Sequence, residues 1–389
     1  MARLNRNLKW GLIGGGPGAF IGEVHRKAAR MDGGIELVAG CFDINPRKSK
    51  QMGREQNISS KRTYTDYGQM IEKELNLPVG ERIDFVSITT PNDWHFPIAR
   101  DFMEAGFHVV CEKPMTMDVK EARKLKEIVR KTRRVFALNH CYSGYPMVKL
   151  ARDMAQQGDL GKIRKIVAIY PQGWLATEVH NQQAEWRTDP RQSGISCCMA
   201  DIGSHAAHTA EYITGLKIVE ICADLTTYVK GRRLDDDGNA LLRFQKGAKG
   251  VLHASQISIG EENGLAIWIY GEKGGLEWHQ EHPNYLYVKV PDGPVQVWRR
   301  GNDYVGARSP AAARATRVPS GHPEAYIEAN ANIYRNASDT IRARILREKP
   351  DPLALDFPSV DDGVRGMLFI ETVVKSSKAK QKWIKMPNK

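Results

Sequence analysis

The sequence predicts an N-terminal doubly wound parallel α/β sheet followed by an α+β domain with a large open, mainly antiparallel sheet. Three observations predict it. A glycine-rich turn joins the first apolar run to a helix-like stretch in LKWGLIGGGPGAFIG (8–22). Short β-branched runs then alternate with helical patterns as far as about residue 140. After that, apolar runs follow one another through short turns. Alternation requires crossovers and hence parallel strands, whereas short turns imply antiparallel hairpins. At 389 residues the chain exceeds the size at which a single core stops growing. Two domains are therefore expected, 1–140 and 141–389.

In the first domain the strands are read in the apolar start of LKWGLIGGGPGAFIG (8–22) and at IELVAGCFD (35–43), IDFVSITTP (83–91), FHVVCEKP (107–114) and RVFALNH (134–140). They are apolar throughout, as strands buried on both faces are. Between them lie helical patterns at 22–33, 46–57, 93–106 and 118–131. Asp118 is suited to cap the last of these, with Glu121 as its capping-box partner.

The glycine turn sits where a Rossmann fold binds a dinucleotide, between first strand and first helix. Gly14 and Gly16 let backbone approach a pyrophosphate at the helix N-terminus. Gly18, Ala19, Phe20 and Ile21 complete the candidate loop, which is longer than G-x-G-x-x-G because the next glycine is Gly22. Which amides touch the pyrophosphate stays open. Asp43 ends the second strand, where an acid accepts from both ribose hydroxyls and repels a 2′-phosphate. NAD is therefore expected over NADP, with Arg47 near enough to blunt the preference.

In the second domain strands are read at 162–174, 218–229, 239–247, 249–258, 265–271, 275–279 and 285–290. Helices around 147–157 and 201–214 are expected to cover one sheet face. The stretch 301–324 has no periodicity and reads as a long loop, an arm over a site or a neighbouring subunit. Helices follow from Pro323 to about Leu346 and within 357–377.

Composition narrows the function. Apolar residues make up 41%, and no run reaches the roughly 18 a membrane span needs. The N-terminus is basic and then apolar, but glycines interrupt after Ile13, too early for a signal peptide. The six cysteines form no C-x-x-C, so zinc is not expected, and free thiols fit a cytoplasmic protein. The net charge of +12 is scattered, densest in the tail 375–389, which reads as a solvated terminus. It suits attraction of anionic metabolites rather than nucleic acid.

Two further stretches carry chemistry. In VVCEKPMT (109–116) a buried strand runs into Glu112 and Lys113, and Pro114 fixes the backbone. Lys113 then projects from the carboxyl edge of the sheet, where open α/β sheets bind ligands. In MADIGSHAAHTAEYITG (199–215), Asp201 and His205 stand four apart, which places them on one helix face. His205 and His208 lack a third ligand of clear spacing for a metal.

Together the glycine loop, TTPNDWH (89–95), CEKPMT and the D-x-x-x-H element resemble the Gfo/Idh/MocA family over nearly the whole chain. The long loop is similar to the subgroup of levoglucosan dehydrogenase and the glycoside 3-dehydrogenases. The resemblance implies an NAD-dependent oxidoreductase acting on a ring hydroxyl, at C3, of a sugar, anhydrosugar or glycoside. It places Thr90, Pro91, Asn92 and His95 beside the nicotinamide ribose, with Glu112 and Lys113 at the cofactor. Lys113, Asp201 and His205 become the catalytic candidates, set across a cleft. His205, with an ordinary pKa of about 6.5, is suited to take a hydroxyl proton, and Lys113 to stabilise the alkoxide. Tyr142, Trp174, Trp186, Arg187 and His322 join them as substrate-binding candidates. The free sheet face implies a homo-oligomer, dimer or tetramer. Alternatives are a cyclitol dehydrogenase, an enzyme that retains and recycles NAD, and a non-catalytic dinucleotide sensor, which would not need all three catalytic candidates.

Overall fold

The computed structural model describes residues 4–387, so the first three residues of the basic lead-in and the last two of the tail lie outside them. The chain forms two compact units, one of residues up to Asn139 with Asn330–Val364, the other of His140–Ala329 with the residues from Arg365 onward. From the sequence, 330–364 is expected in the second domain. This segment packs with the first because Tyr334 inserts among the sheet aromatics, 5.8 Å from Trp10 and 6.4 Å from Phe85 between ring centroids.

The first unit begins β1 (Leu8–Gly14), α1 (Phe20–Arg30), β2 (Ile35–Cys41), α2 (Pro46–Glu55), α3 (Tyr67–Leu75), β3 (Phe85–Thr89), α4 (His95–Glu104), β4 (His108–Cys111), α5 (Val119–Thr132) and β5 (Phe136–Leu138). The five strands are parallel in the order β2-β1-β3-β4-β5. Every residue of β3, β4 and β5 is buried, as both covered faces require. Strand order reverses at β1, so the switch point lies between the carboxyl ends of β1 and β3. Asp118 caps α5 by accepting from the Glu121 amide at 2.7 Å. Glu121 reaches back to Met117 N at 3.1 Å, one residue beyond the expected box. Helix α3 escaped the sequence reading. It starts on Asp66, which accepts from Gln69 N, and its buried Glu74 takes bonds from Arg62, Tyr64 and Ile83.

The second unit contains α6 (Pro146–Gln156), β6 (Ile163–Pro171), α7 (Gln182–Thr188), α8 (Pro190–Ser193) and α9 (Ser204–Thr214). It continues with β7 (Ile218–Thr226), β8 (Asp237–Phe244), β9 (Lys249–Ser255), β10 (Ala266–Gly271), β11 (Gly275–His279), β12 (Tyr285–Lys289), β13 (Gln296–Arg299), α10 (Asp303–Arg308) and α11 (Pro310–Arg314). Helices α12 (Tyr326–Leu346) and α13 (Val360–Lys378) and strand β14 (Trp383–Lys385) complete the chain. The nine strands run β13-β12-β11-β10-β6-β9-β8-β7-β14, antiparallel except for the parallel pair β6 and β9. Burial alternates along β8: Ala240, Leu242 and Phe244 face inward, while Asn239, Leu241 and Arg243 face out. Helix α9 covers β6, β9 and β10, and α6 covers β11 and β12.

Two sequence expectations change here. The stretch 301–324 is not a plain loop: Ser309 caps α11 through Ala312 N, Pro310 opens it, and alanines fill it. Nor is the tail merely solvated. Trp383–Lys385 pairs with Glu220–Cys222 of β7, and Ser376 and Ser377 accept from the next free amides of that strand, Ala223 and Leu225. An edge strand is thereby blunted by its own C-terminus.

Candidate active site

In the first unit the glycine loop is shaped by close backbone approach. Gly14, Gly15 and Gly18 have φ of +79°, +71° and +81°. A Cβ on Gly22 would stand 2.2 Å from Gly15 Cα, so Gly22 is what lets α1 pack onto the turn. It does the work of a fingerprint's last glycine in a longer loop. A Cβ on Gly16 would stand 3.0 Å from Asp43 Oδ2, which brings the carboxylate to the loop's edge. Asp43 Oδ1 is held by Asn45 N at 2.8 Å. No side chain caps α1 at Ala19, so its opening turn keeps an anion-ready end. Phe20 is exposed and Ile21 half-buried beside it. Arg47 lies exposed in the first turn of α2. The buried Arg26 donates to Gly15 O at 2.6 Å and holds the turn.

Beyond β3, Thr90 Oγ1 is buried and makes no hydrogen bond among the described residues. Pro91 and the buried Asn92 follow it. His95 is fully buried, with Nδ1 2.7 Å from Pro114 O and Nε2 3.0 Å from Thr90 O. Burial pushes it below the ordinary imidazole range, although both carbonyls favour a proton. Its ring thus lies between carbonyls of the loops after β3 and β4, and its neutral form donates to one of them. Glu112 is committed on both oxygens. Its Oε1 accepts from His25 Nε2 at 2.7 Å and from Asn139 Nδ2 at 2.5 Å, and its Oε2 from the Lys113 amide at 3.2 Å. Burial alone would raise this carboxyl, but His25, Asn139 and the charge of Lys113 hold it below the usual range. Lys113 stands half-buried at the carboxyl edge, and its bond to Pro114 is cis.

In the second unit a polar and aromatic chain of contacts connects most of the other candidates. Asp201 Oδ2 accepts from Gln256 Nε2 at 2.9 Å and from Arg187 Nε at 3.3 Å. The Arg187 guanidinium lies 4.3 Å from the Trp186 ring centroid and 5.7 Å from that of Trp174. Trp174 donates to Gln172 at 3.1 Å, and Gln172 and Tyr170 both donate to Asn263 Oδ1, at 2.8 and 2.6 Å. Tyr170 meets the Tyr142 hydroxyl. The Tyr142 ring stands edge-on to His205 at 4.7 Å, and His140 Nδ1 lies 3.4 Å from His205 Nδ1. Burial pushes the Tyr142 and Tyr170 phenols well up, so both remain neutral donors. Asp201 does not sit on a plain α-helix. Residues Met199–Gly203 form a π turn ahead of α9, and Asp235 anchors its start through Cys197 N and Met199 N at 3.1 and 2.9 Å. Such single wide turns recur at functional sites. His322 stands apart from this cluster among the described contacts: its side chain is exposed and its carbonyl is taken by Arg300.

Tyr170, Gln172, Gln256, Asn263 and His140 escaped the sequence reading. The signal was nonlocal. Because β6 and β9 are parallel, with Pro171 opposite Ser255, their carboxyl ends share one edge. Gln172 and Gln256 follow directly at that edge, and short-turn reasoning finds only antiparallel neighbours.

Residues 8–140 match the family description "Oxidoreductase family, NAD-binding Rossmann fold", and residues 148–277 match "GFO/IDH/MocA C-terminal domain". An uncharacterised oxidoreductase of Bacillus subtilis, YfiI, is 32% identical over 387 residues, covering 98% of this chain and 97% of that protein. The chain belongs to the Gfo/Idh/MocA family of oxidoreductases. Among solved structures, an inositol dehydrogenase homolog from Azotobacter vinelandii complexed with NAD+ superposes with a TM-score of 0.93 at 34% identity, covering 98% of each chain. Levoglucosan dehydrogenase in complex with NADH and levoglucosan gives 0.83 at 25% identity, over 99% of this chain and 100% of that one. The first unit is thus the family's NAD-binding domain, and the enzyme is an NAD-dependent oxidoreductase. The loop suits that cofactor: Gly16 leaves room beside Asp43, and α1 opens without a side-chain cap. No described helix is long and apolar enough to cross a membrane.

Proposed function

We propose that this enzyme oxidises a secondary ring hydroxyl of a sugar, anhydrosugar or glycoside, at C3, with NAD+ as acceptor. The observation that carries the reading is the shelf beside Asp201. Arg187 lies over Trp186 and Trp174 while donating to Asp201, and Gln256 donates to the same oxygen. Aromatic faces suit the axial C–H surfaces of an equatorial pyranose, and a carboxylate with flanking donors suits its hydroxyls. Relatives named for inositol and for levoglucosan support a polyhydroxylated ring. In levoglucosan the anomeric oxygen is tied in a bridge, so a ring carbon must be the one oxidised.

When bound, NAD+ supplies the hydride acceptor. Asp43 binds the adenosine ribose, and the opening amides of α1, with Gly14, Gly16, Gly18 and Ala19, face the pyrophosphate. Thr90 and Asn92 lie in the stretch assigned to the nicotinamide ribose, and His95 holds that stretch in place. His205 takes the hydroxyl proton, Lys113 stabilises the oxygen as negative charge develops, and Asp201 orients the substrate. A second copy of the chain packs on the open sheet face, where Leu241, Tyr270, Tyr285 and Val297 are exposed. Its six free thiols fit a cytoplasmic setting.

The test is an NAD-reduction screen over inositols, free sugars, methyl glycosides and levoglucosan, with NMR of the products. A 3-keto product from levoglucosan and methyl glucoside is expected. Turnover confined to reducing sugars, giving lactone, overturns the assignment of C3. Turnover confined to inositols makes it a cyclitol dehydrogenase instead.

A further inference from the structure

A buried polar chain crosses the first unit beneath its carboxyl edge. Trp10 Nε1 donates to Ser87 Oγ at 2.9 Å, and Ser87 Oγ lies 2.7 Å from Tyr334 Oη. Tyr334 Oη lies 2.5 Å from His25 Nδ1, and His25 Nε2 lies 2.7 Å from Glu112 Oε1. His25 and Tyr334 are essentially without solvent exposure. The chain thus ties together β1, β3, α12, α1 and the end of β4.

Its direction is fixed from one end. An indole N–H can only donate, so Ser87 accepts from Trp10. Ser87 then donates to Tyr334, Tyr334 donates to His25 Nδ1, and His25 Nε2–H donates to Glu112. In this order every hydroxyl both gives and receives. The reverse order would leave the Ser87 hydroxyl proton buried without an acceptor, a cost of about 1–3 kcal/mol. The chain therefore delivers a single donor to Glu112, and Glu112 delivers its other oxygen to the Lys113 amide.

A network of this kind is dear as a mere stabiliser. Buried carboxylate and imidazole groups forfeit hydration that packed apolar residues would not. What distinguishes this one is where its ends lie. His25 sits on the helix that opens at the glycine loop, and Glu112 pins the peptide carrying Lys113.

We propose that His25 is a positioning residue for Lys113, holding its peptide through Glu112 in fixed relation to the glycine-loop helix. This rests on the reading that Lys113 acts on the substrate oxygen. The contribution is geometric: misplacement by about 1 Å remote from the chemistry costs up to about a hundredfold in rate.

His25→Gln keeps an amide donor near the Nε2 position. His25→Asn, one methylene shorter, keeps polarity near Nδ1 but no donor within reach of Glu112. At a temperature below both thermal transitions, His25→Asn is expected to lower kcat about 10- to 100-fold with the Kd for NADH unchanged. His25→Gln is expected to stay within about threefold of wild type on the same scale. Hydrogen exchange supplies a readout independent of turnover: the Lys113 amide should exchange faster in His25→Asn and stay protected in His25→Gln. Equal kcat in the two variants, or unchanged Lys113 exchange in His25→Asn, overturns the proposal. Lys113→Ala separates the two failures. If it turns over normally, the catalytic reading of Lys113 falls. If it is inactive while His25→Asn is fully active, only the positioning role falls.

Discussion

At the scale of single residues, the two acidic positions flanking the cofactor edge differ in what they can do. Asp43 keeps one carboxylate oxygen beside Gly16, whereas Glu112 is consumed by His25, Asn139 and the Lys113 amide. A sequence shows both as acids at strand ends. Only their partners separate a group offered to a ligand from one that braces its neighbour. Lys113→Ala is expected to leave NADH binding and folding close to wild type while kcat falls about a hundredfold or more, the scale of one lost charge-stabilising donor. Stopped-flow turnover beside NADH fluorescence titration checks this, and near-normal kcat would sink it. Asp43→Ala should narrow or reverse the preference for NAD, since the carboxylate that would repel a 2′-phosphate is gone and Arg47 lies exposed in the next helical turn. The ratio of kcat/KM for the two cofactors decides it, and a wild-type enzyme already preferring NADP would refute the role given to Asp43.

At the scale of elements, His108 ties β4 to the start of β5. Its Nδ1 accepts from Val135 N at 2.8 Å, which requires that nitrogen to be unprotonated. Burial, aided by the charge of Arg134, lowers its pKa to about 4. The unfolded chain takes up this proton near pH 6.5. Between these values the unfolded state binds a proton that the folded state refuses, so stability must fall as pH drops from about 6.5 to about 4 and level off below. The amplitude is on the order of 3 kcal/mol for a shift of this size. Urea unfolding at several pH values should show the slope, and His108→Gln should flatten it while leaving the contribution of His95. An identical slope in the variant would exclude His108 as its source. Apart from α3, the elements of residues 8–140 were legible because each strand and helix announces itself within a dozen residues. The parallel register of β6 with β9 was not, because its partners lie about eighty residues apart and no local turn records them. The π turn at Asp201 was invisible for a related reason. Its cause, Asp235 holding Cys197 and Met199, comes from a distant stretch.

At the scale of the whole molecule, the first unit is discontinuous. Its parallel sheet is built within the first 139 residues, yet Tyr334 and Asn330 complete its aromatic and polar interior. A fragment of residues 1–139 would expose Trp10 and Phe85 and leave Ser87 and His25 without the Tyr334 hydroxyl. It is expected to lack the cooperative thermal transition of the intact chain, and a fragment with a sharp transition at the native temperature would contradict this. The same feature sets a schedule for the newborn protein. On the ribosome the segment that seals the first sheet emerges about 190 residues after the last strand. At about 5–20 residues per second, that is a wait of roughly 10–40 seconds. Throughout it the earliest strands stand with their aromatic lining uncovered, and the unit that was begun second is completed later still, because its last helix and edge strand follow Arg365.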